Sequence, residues 1–441
     1  MKYLNYIKYS INYIKLIYNS LKIYNNPDKI RDDKFVNNFI NIISNNGCML
    51  IKLIQWGLPR YEMMYGTNDF TKKLEKFYDN CPEHSIVHTD NTYRKEFNKS
   101  IFEDYDIIGI LGCGSIGQVY KVLRKKDNKY YALKVIHPNT KEEFVIFKIF
   151  FYIIYNLINI NNILPIKNIN ILVDDIELQL NYNNEAYNCN FFYNLYKDNK
   201  YINVPKIEYY NENLILMEIF NTKSDENITD LGKYKCLLLL IIFINNDCLN
   251  NLSHGDMHKG NWSLHYNNNY SYINIIDFGF CFNINYTDYI IIDKYIENPT
   301  DLNILKEIIG FLICNKSIEL VDTISLYLYS ITKNIESKNI EKYINCLFIT
   351  LNKYNIKINT SILNGLFLYY QMSSMYKFIL DNENRSNNII ENNFSLELYN
   401  ICETYNICDE YKNHLNKNFI SSFNFKTNNK KLDKYKNLCL K

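Results

Sequence analysis

Two short segments of the 441-residue chain carry side chains suited to moving a phosphoryl group. One is His254-Gly255-Asp256-Met257-His258-Lys259-Gly260-Asn261, with His, Asp and Asn in the order H-x-D-x-x-x-x-N. The other is Ile275-Ile276-Asp277-Phe278-Gly279, an apolar run that ends in Asp-Phe-Gly. Phosphoryl transfer asks for a carboxylate that takes or orients the acceptor's proton, hard oxygen ligands for Mg²⁺, and a cation on the transferring phosphates. Asp256 suits the first role, and Asn261 with Asp277 the second. Lys134, at the end of Tyr131-Ala132-Leu133-Lys134, suits the third. Each piece alone is a weak signal, but all of them in this order form a specific one.

Upstream of Lys134, Leu111-Gly112-Cys113-Gly114-Ser115-Ile116-Gly117-Gln118-Val119-Tyr120-Lys121 spaces three glycines as G-x-G-x-x-G. Such a loop can cradle a dinucleotide, cover a nucleoside triphosphate, or be a plain hairpin. A dinucleotide fingerprint opens a helix, whereas Gln118–Leu123 reads as a strand, so that context fails. No Walker-type G-x-x-x-x-G-K-[ST] is present. A kinase-type loop requires strand, loop, strand, turn and a third strand with Ala-x-Lys, and this order is met. A helical Glu should pair with the lysine, and Glu177 and Glu185 are both candidates on one helical stretch.

These residues need elements to hold them. Residues 1–100 read as helices, broken at Asn25-Asn26-Pro27 and around Cys81-Pro82. Tyr105–Leu111, Gln118–Leu123 and Tyr130–Ile136 are short runs rich in β-branched and aromatic residues, forming an antiparallel meander with a polar turn at 124–129. Helical signals run from Lys141 to about Asp198, and a hairpin follows over Lys206–Tyr210 and Leu214–Ile219. Beyond Asp230 the pattern is mostly helical, with short strands flanking His254–Asp277. The plan is α+β, with a small β-rich half and a large helical half.

Composition constrains the rest. The net charge is +2, so no basic field argues for nucleic acid. The 12 cysteines form no C-x-x-C pair, which suits reduced thiols. Cys81, His84 and His88 have ligand-like spacing but no fourth ligand nearby, so a surface loop is preferred to a metal site. Val145–Ile160 is the most apolar stretch, but at 16 residues with Lys148 inside it reads as a buried or partner-facing helix rather than a span. Lys8, Lys15 and Lys22 recur every seven residues on an apolar helix with no acid before Asp28; a packed surface helix is preferred to a membrane-surface one.

From about Asn45 to Asn298 the chain resembles the UbiB family of atypical kinases, also called the aarF-domain-containing (ADCK) kinases. Leu50-Ile51-Lys52-Leu53-Ile54-Gln55-Trp56 stands where the family's extension carries F-I-K-x-G-Q-W. Tyr78–Phe97 is similar to the family's linker, Ser115-Ile116-Gly117-Gln118-Val119-Tyr120 to S-I-A-Q-V-x, and Lys134-Val135-Ile136-His137-Pro138 to K-V-x-H-P. Gln179–Ala186 aligns with E-x-D-Y-x-x-E-A, which makes Glu185 the implied partner of Lys134. Leu216-Met217-Glu218 resembles the hinge, and His254–Asn261 resembles H-A-D-P-H-P-G-N.

The resemblance implies a two-lobe protein-kinase-like fold. Its expected parts are a helical extension over 1–100, an N-lobe over 101–220 with a helical insertion at 141–200, a C-lobe over 221–320, and a helical region over 321–441. It also implies ATP and Mg²⁺, with output as an ATPase or as a phosphotransferase to a small-molecule or lipid-like acceptor. The expected location is the cytoplasm or the periphery of an intracellular membrane. Nucleotide contacts are expected from Gly112, Gly114, Ser115, Gly117, Val119, Ala132, Lys134, Met217, Glu218, Lys52 and Gln55. Catalytic roles are expected for Asp256, Lys134 and Glu185, and metal ligation for Asn261 and Asp277. The absence of an A-P-E-like segment after Gly279 removes the usual peptide platform.

Two other readings stand beside this one: an aminoglycoside- or choline-kinase-like enzyme, and a non-catalytic ATP-binding scaffold. Gln179 and Asn181 replace both acids of E-x-D, so the clamp on Lys52 is expected to be weaker. Gly112, Gly114 and Gly117 replace the family's alanine-rich loop, so closer approach to phosphates and access to φ > 0 are expected.

Overall fold

The computed structural model describes residues 2–380 other than 45–46, 79–80, 158–169, 230–231, 234–235, 238, 242, 245–251, 268–269, 315–316 and 336–338. Residues 381–441 of the expected helical C-terminal region and part of the helical insertion therefore lie outside the described residues. The chain divides into two compact units, mixed α+β and mostly helical. The first comprises Met1–Phe192, Pro205–Phe220 and Asp277–Phe280; the second comprises Tyr193–Val204, Asn221–Ile276 and Cys281–Lys441.

The first unit begins with helices α1 (Lys2–Asn25), α2 (Asp33–Ser44), α3 (Cys48–Tyr65) and α4 (Asp69–Leu74). The helix over α2 follows from its period: Val36, Phe39, Ile40 and Ile43 recur on one face, and all are buried. The break at Pro27 holds, since α1 ends at Asn25 and a 3₁₀ turn covers Pro27–Arg31. Asn68 starts α4 with a reciprocal capping box to Thr71. Further along come α5 (Ile86–Phe97), α6 (Ile101–Asp104), α7 (Thr140–Leu157), α8 (Asn170–Leu178) and α9 (Tyr182–Tyr196).

Helix α3 carries Lys52 and Gln55, and a distant residue fixes its start. The Glu143 carboxylate of α7 accepts hydrogen bonds from Cys48 N at 2.8 Å and Met49 N at 3.4 Å. An anion at a helix N-terminus satisfies donors that otherwise have no partner. Gly47 precedes this cap with φ +84°, and a Cβ there would collide with the Glu143 carboxylate. Burial raises the Glu143 carboxyl, and hydrogen bonds from Cys48, Tyr9 and Met49 oppose that rise.

The sheet of the first unit is antiparallel in the order β1-β2-β3-β6-β5. Its strands are β1 (Tyr105–Cys113), β2 (Gly117–Arg124), β3 (Lys129–Ile136), β5 (Ile207–Tyr210) and β6 (Leu214–Glu218); β4 (Ile202–Asn203) belongs to the second unit. The expected meander and second hairpin are both present, with ends shifted by one to two residues. β3 is central, and Tyr131 through Ile136 are all buried. Leu133 and Leu216 of the sheet share one buried cluster with Tyr93 and Ile101, and Ile136 and Ile215 join another that runs on through α7, α3, α2 and α1.

In the second unit, β8 (Trp262–Asn267) and β9 (Tyr270–Ile275) form a hairpin, and β4 adds in parallel to β9. β7 (Ser253–His254) pairs with β10 (Cys281–Phe282). Helices α10 (Tyr286–Glu297), α11 (Leu302–Leu312), α12 (Ile318–Thr332), α13 (Ile340–Lys353) and α14 (Thr360–Leu380) complete it. Among the described residues, no helix is long and apolar enough to cross a membrane.

Candidate active site

Strand β3 delivers Lys134 into a buried polar cluster. Its ammonium donates to Glu185 Oε1 at 2.6 Å and to Asp277 Oδ1 at 3.1 Å. It also lies 5.4 Å from the centre of the Tyr182 ring. Lys134 is 8% exposed and Glu185 4%, while the Asp277 side chain keeps 45% of its surface open. Thus two partners are sealed in, and the third faces outward. Burial works against the lysine's charge, but Asp277 and Glu185 outweigh it and hold Lys134 protonated. Burial raises Glu185, with Lys134 offsetting part of the rise. Asp277 is held well below the carboxylate range: burial opposes this, and Lys134 and then Lys52 overcome it.

The backbone at Asp277 has φ +59°, a left-handed conformation that a non-glycine residue adopts infrequently. The Gly279 N–H donates to Asp277 Oδ1 at 3.2 Å, and Phe278 is buried against Phe192, with ring centres 5.1 Å apart. The Asp-Phe-Gly turn thus aims the acid at Lys134 by burying its neighbour. Glu177, the other candidate partner of Lys134, pairs instead with Lys148 at 3.1 Å on an exposed face.

Around Lys134 the strand register places several of the expected nucleotide contacts together. Val119 pairs with Lys134, and Ala132 with Met217; Glu218 pairs with Tyr131. In the glycine loop, Gly114 N donates to Gly117 O at 2.9 Å, closing the turn. None of Gly112, Gly114 and Gly117 has a left-handed φ, so the expectation of positive φ is corrected. What Gly117 requires is space. A Cβ there would collide with the Tyr182 hydroxyl and lie 2.6 Å from Val135 O. Gly112 and Gly114 have room for a methyl.

Residues of the extension also reach this loop. Ser115 Oγ donates to Gln55 Oε1 at 2.7 Å, and Gln55 Nε2 donates to Phe77 O at 2.9 Å. Gln55 therefore joins the loop to α3. Lys52, one turn earlier, acts electrostatically on both Glu185 and Asp277. The amides that replace the acidic motif are used locally: Asn181 Oδ1 accepts from Asn183 N at 3.0 Å, and Gln179 Nε2 donates to Asp175 O at 2.9 Å.

For Cys81, His84 and His88 the sequence reading prefers a surface loop to a metal site; Pro82, Glu83 and Ser85 are exposed as that expects, but His84 is not. His84 is buried, with its Nδ1 2.7 Å from His137 Nδ1. Its backbone N–H donates to Gln118 Oε1 at 2.9 Å. These contacts join residues 53 and 34 positions apart, and spacing along the chain gives no signal for that. Among the described residues, no group of three or more His, Cys, Asp and Glu could hold a metal ion. A cavity of about 570 Å³ lies beside the loop, bordered by Ile51, Cys81, Pro82, Ile110, Leu111 and Cys113; none of Lys134, Glu185 and Asp277 lines it.

The second unit holds Asp256 and Asn261 on a tightly bonded loop. Asp256 N–H donates to His254 Nδ1 at 3.2 Å, and Asn261 Nδ2 donates to Asp256 O at 2.8 Å. Trp262 Nε1 donates to Met257 O at 3.1 Å, and Ile276 N donates to Asn261 O at 2.9 Å. The Asp256 side chain is about one-third exposed. The loop thus fixes its own backbone and leaves one carboxylate reachable.

Residues 76–298, just over half of the chain, match the model of the ABC1 atypical kinase-like domain. An ABC1 family protein, the MCP2 homolog of Schizosaccharomyces pombe, is 30% identical over 104 residues. That stretch covers 23% of this chain and 18% of the relative, so the similarity spans less than a fifth of the relative's length. Among solved structures, the Rv3197–erythromycin complex from Mycobacterium tuberculosis aligns with a TM-score of 0.41 and 15% identity, covering 74% of this chain and 87% of that one.

Proposed function

The chain belongs to the ABC1 atypical kinase-like family, and we propose that it binds ATP with Mg²⁺ and either hydrolyses it or transfers its terminal phosphoryl group to a small-molecule or lipid-like acceptor. The observation that carries this reading is the Lys134–Glu185–Asp277 cluster, in which one buried ammonium bonds two carboxylates and the Asp277 side chain stays open.

In this reading Lys134 neutralises phosphate charge, and Glu185 keeps its ammonium from swinging away. Asp277 in the first unit and the side-chain amide oxygen of Asn261 in the second are each hard donors of the kind Mg²⁺ takes alongside phosphates, so the chemistry of each residue suits the ion. Bound magnesium would supply charge neutralisation on the phosphates. Asp256 takes or orients the acceptor's proton. Gly112 to Val119 cover the phosphates, and Ala132, Met217 and Glu218 edge the base. The parts assigned are an extension over 1–100, an N-lobe over 101–220, a C-lobe over 221–320 and a helical region beyond. Mg²⁺-dependent ATP turnover by wild type and Asp277→Asn tests the assignment. Turnover abolished by the substitution is expected, and turnover unchanged by it would contradict the site.

Peripheral association with a membrane is part of this reading. Ile7, Ile11, Ile14 and Tyr18 of α1 are exposed along one face, as are Val145, Ile149 and Ile153 of α7. The two helices are packed together, with Tyr13 and Phe150 stacked at 5.2 Å. Lys15 and Lys22 flank the apolar stripe of α1 and are exposed, as interfacial helices require; the side chain of Lys8 lies outside the described residues. Co-sedimentation with anionic vesicles should be lost in the Ile11→Asp/Ile14→Asp variant, and retention would contradict the membrane reading.

A further inference from the structure

The glycine loop is held by a second side-chain chain besides Gln55, and its protons can be placed. The Gly114 carbonyl can only accept, and His137 Nε2 lies 3.0 Å from it, so Nε2 carries the hydrogen. In a neutral imidazole the other nitrogen then accepts. His84 Nδ1, 2.7 Å from His137 Nδ1, must therefore be the donor of that pair. This leaves His84 Nε2 as the acceptor, 3.0 Å from Thr89 Oγ1, and that hydroxyl is 3.0 Å from the Tyr120 hydroxyl.

Both imidazoles are buried, at 9% exposed for His84 and 8% for His137, where a charged ring is disfavoured. The side chains in ring contact with them carry no carboxylate, and the neighbouring acid Glu83 acts instead on Cys113 and Tyr120. His88 packs edge-on to His84 with ring centres 4.8 Å apart and binds Ile136 O, and Cys113 Sγ is 3.7 Å from His137 Nε2. The His84 backbone N–H also holds Gln118, just past the loop, at 2.9 Å.

We propose that His84 and His137 are positioning residues: two neutral imidazoles in a fixed tautomeric order that hold the glycine loop by its Gly114 carbonyl. The segment leading into α5 thereby sets the loop from outside the sheet. The nucleotide consequence rests on the proposed ATP-binding function; the effect on the loop does not. A glycine-rich loop has much backbone freedom, so a fixed carbonyl removes conformations that a bound phosphate would otherwise have to select against.

The test uses the full chain and two readouts, hydrogen exchange of the amides from 112 to 118 without nucleotide, and affinity for a fluorescent ADP with Mg²⁺. His137→Phe keeps the ring's bulk but has no donor; His137→Gln keeps a donor and an acceptor. His84→Phe breaks the relay one step from the loop and covers the case in which His137→Phe does not fold. We expect His137→Phe and His84→Phe each to speed loop exchange about tenfold, the cost of one buried hydrogen bond. His137→Gln should recover most of the protection, and the double Phe variant should be no worse than His137→Phe alone. Equal exchange in His137→Phe and His137→Gln would overturn the relay, as would effects of the two Phe substitutions that simply add. Loop exchange that responds as expected in a wild type unable to bind the nucleotide would uphold the relay and remove the nucleotide function instead.

Discussion

Ser115 Oγ and Gln55 Oε1 lie 2.7 Å apart, so a residue of the glycine loop is bonded to the middle of an extension helix. The loop is therefore supported from outside the sheet that bears it, and nucleotide binding should register changes in α3. Ser115→Ala and Gln55→Ala should each weaken ATP affinity, by about 0.5–1.5 kcal/mol for one net hydrogen bond. The double variant should match the worse single, because both remove the same contact. Calorimetric titration of the three variants checks this, and fully additive losses would count against the coupling.

Gly117 and Gly114 should part company on substitution. The Gly117 methyl would run into the Tyr182 hydroxyl and the Val135 carbonyl, whereas the nearest atom to a Gly114 methyl is at 3.5 Å. Gly117→Ala should cost about 1–3 kcal/mol in denaturant unfolding, and Gly114→Ala should be near neutral. Equal stability of the two variants would show that Tyr182 moves aside without cost.

The buried histidines predict a pH dependence of stability. Burial, with His137 and His88 beside it, pulls His84 down to about 3. Burial likewise lowers His137. In the unfolded chain an imidazole takes up its proton near 6.5, so between about 6.5 and 3 only the unfolded state is protonated at His84. Stability from this group is present above about 6.5 and is lost as the pH falls. Raised carboxyls such as Glu143 contribute the opposite slope, so the comparison must be between variants. His84→Gln should lose less stability between pH 7 and pH 5 than wild type, by about 1–2 kcal/mol. Parallel pH profiles in urea unfolding would contradict the neutral relay.

Lys52 acts on Glu185 and Asp277 through its charge, while the amides of Gln179 and Asn181 are used elsewhere. Its removal should therefore change nucleotide affinity by less than about tenfold, or 1.4 kcal/mol. A larger loss in Lys52→Ala, measured by the same titration, would mean that the extension restrains the cleft through Lys52 itself.

Candidate residues could be picked from the sequence because phosphoryl transfer constrains both types and order, and of these the structure brings Lys134, Glu185 and Asp277 together. The meander was legible because β-branched and aromatic runs alternate with glycine and polar turns. Glu185 could be separated from Glu177 only through the family motif, since both lie on helical sequence; the distances then separate them by burial. What the sequence did not show was contact between distant segments. His84 reads as polar loop until His137 packs against it, and Gly117 reads as a flexible residue until Tyr182 fills the space above it. The β8–β9 hairpin lies inside His254–Asp277, where the sequence reading places short strands only at the flanks.

The central claim is that Lys134 and Asp277 form an ATP site that uses Mg²⁺. Its most direct measurement is the affinity of ATP for wild type and Asp277→Asn, each with and without Mg²⁺. We predict that Mg²⁺ tightens ATP binding to wild type at least about tenfold, and that Asp277→Asn removes that gain while remaining folded. An equal Mg²⁺ gain in both proteins, or no ATP binding by wild type, would contradict it.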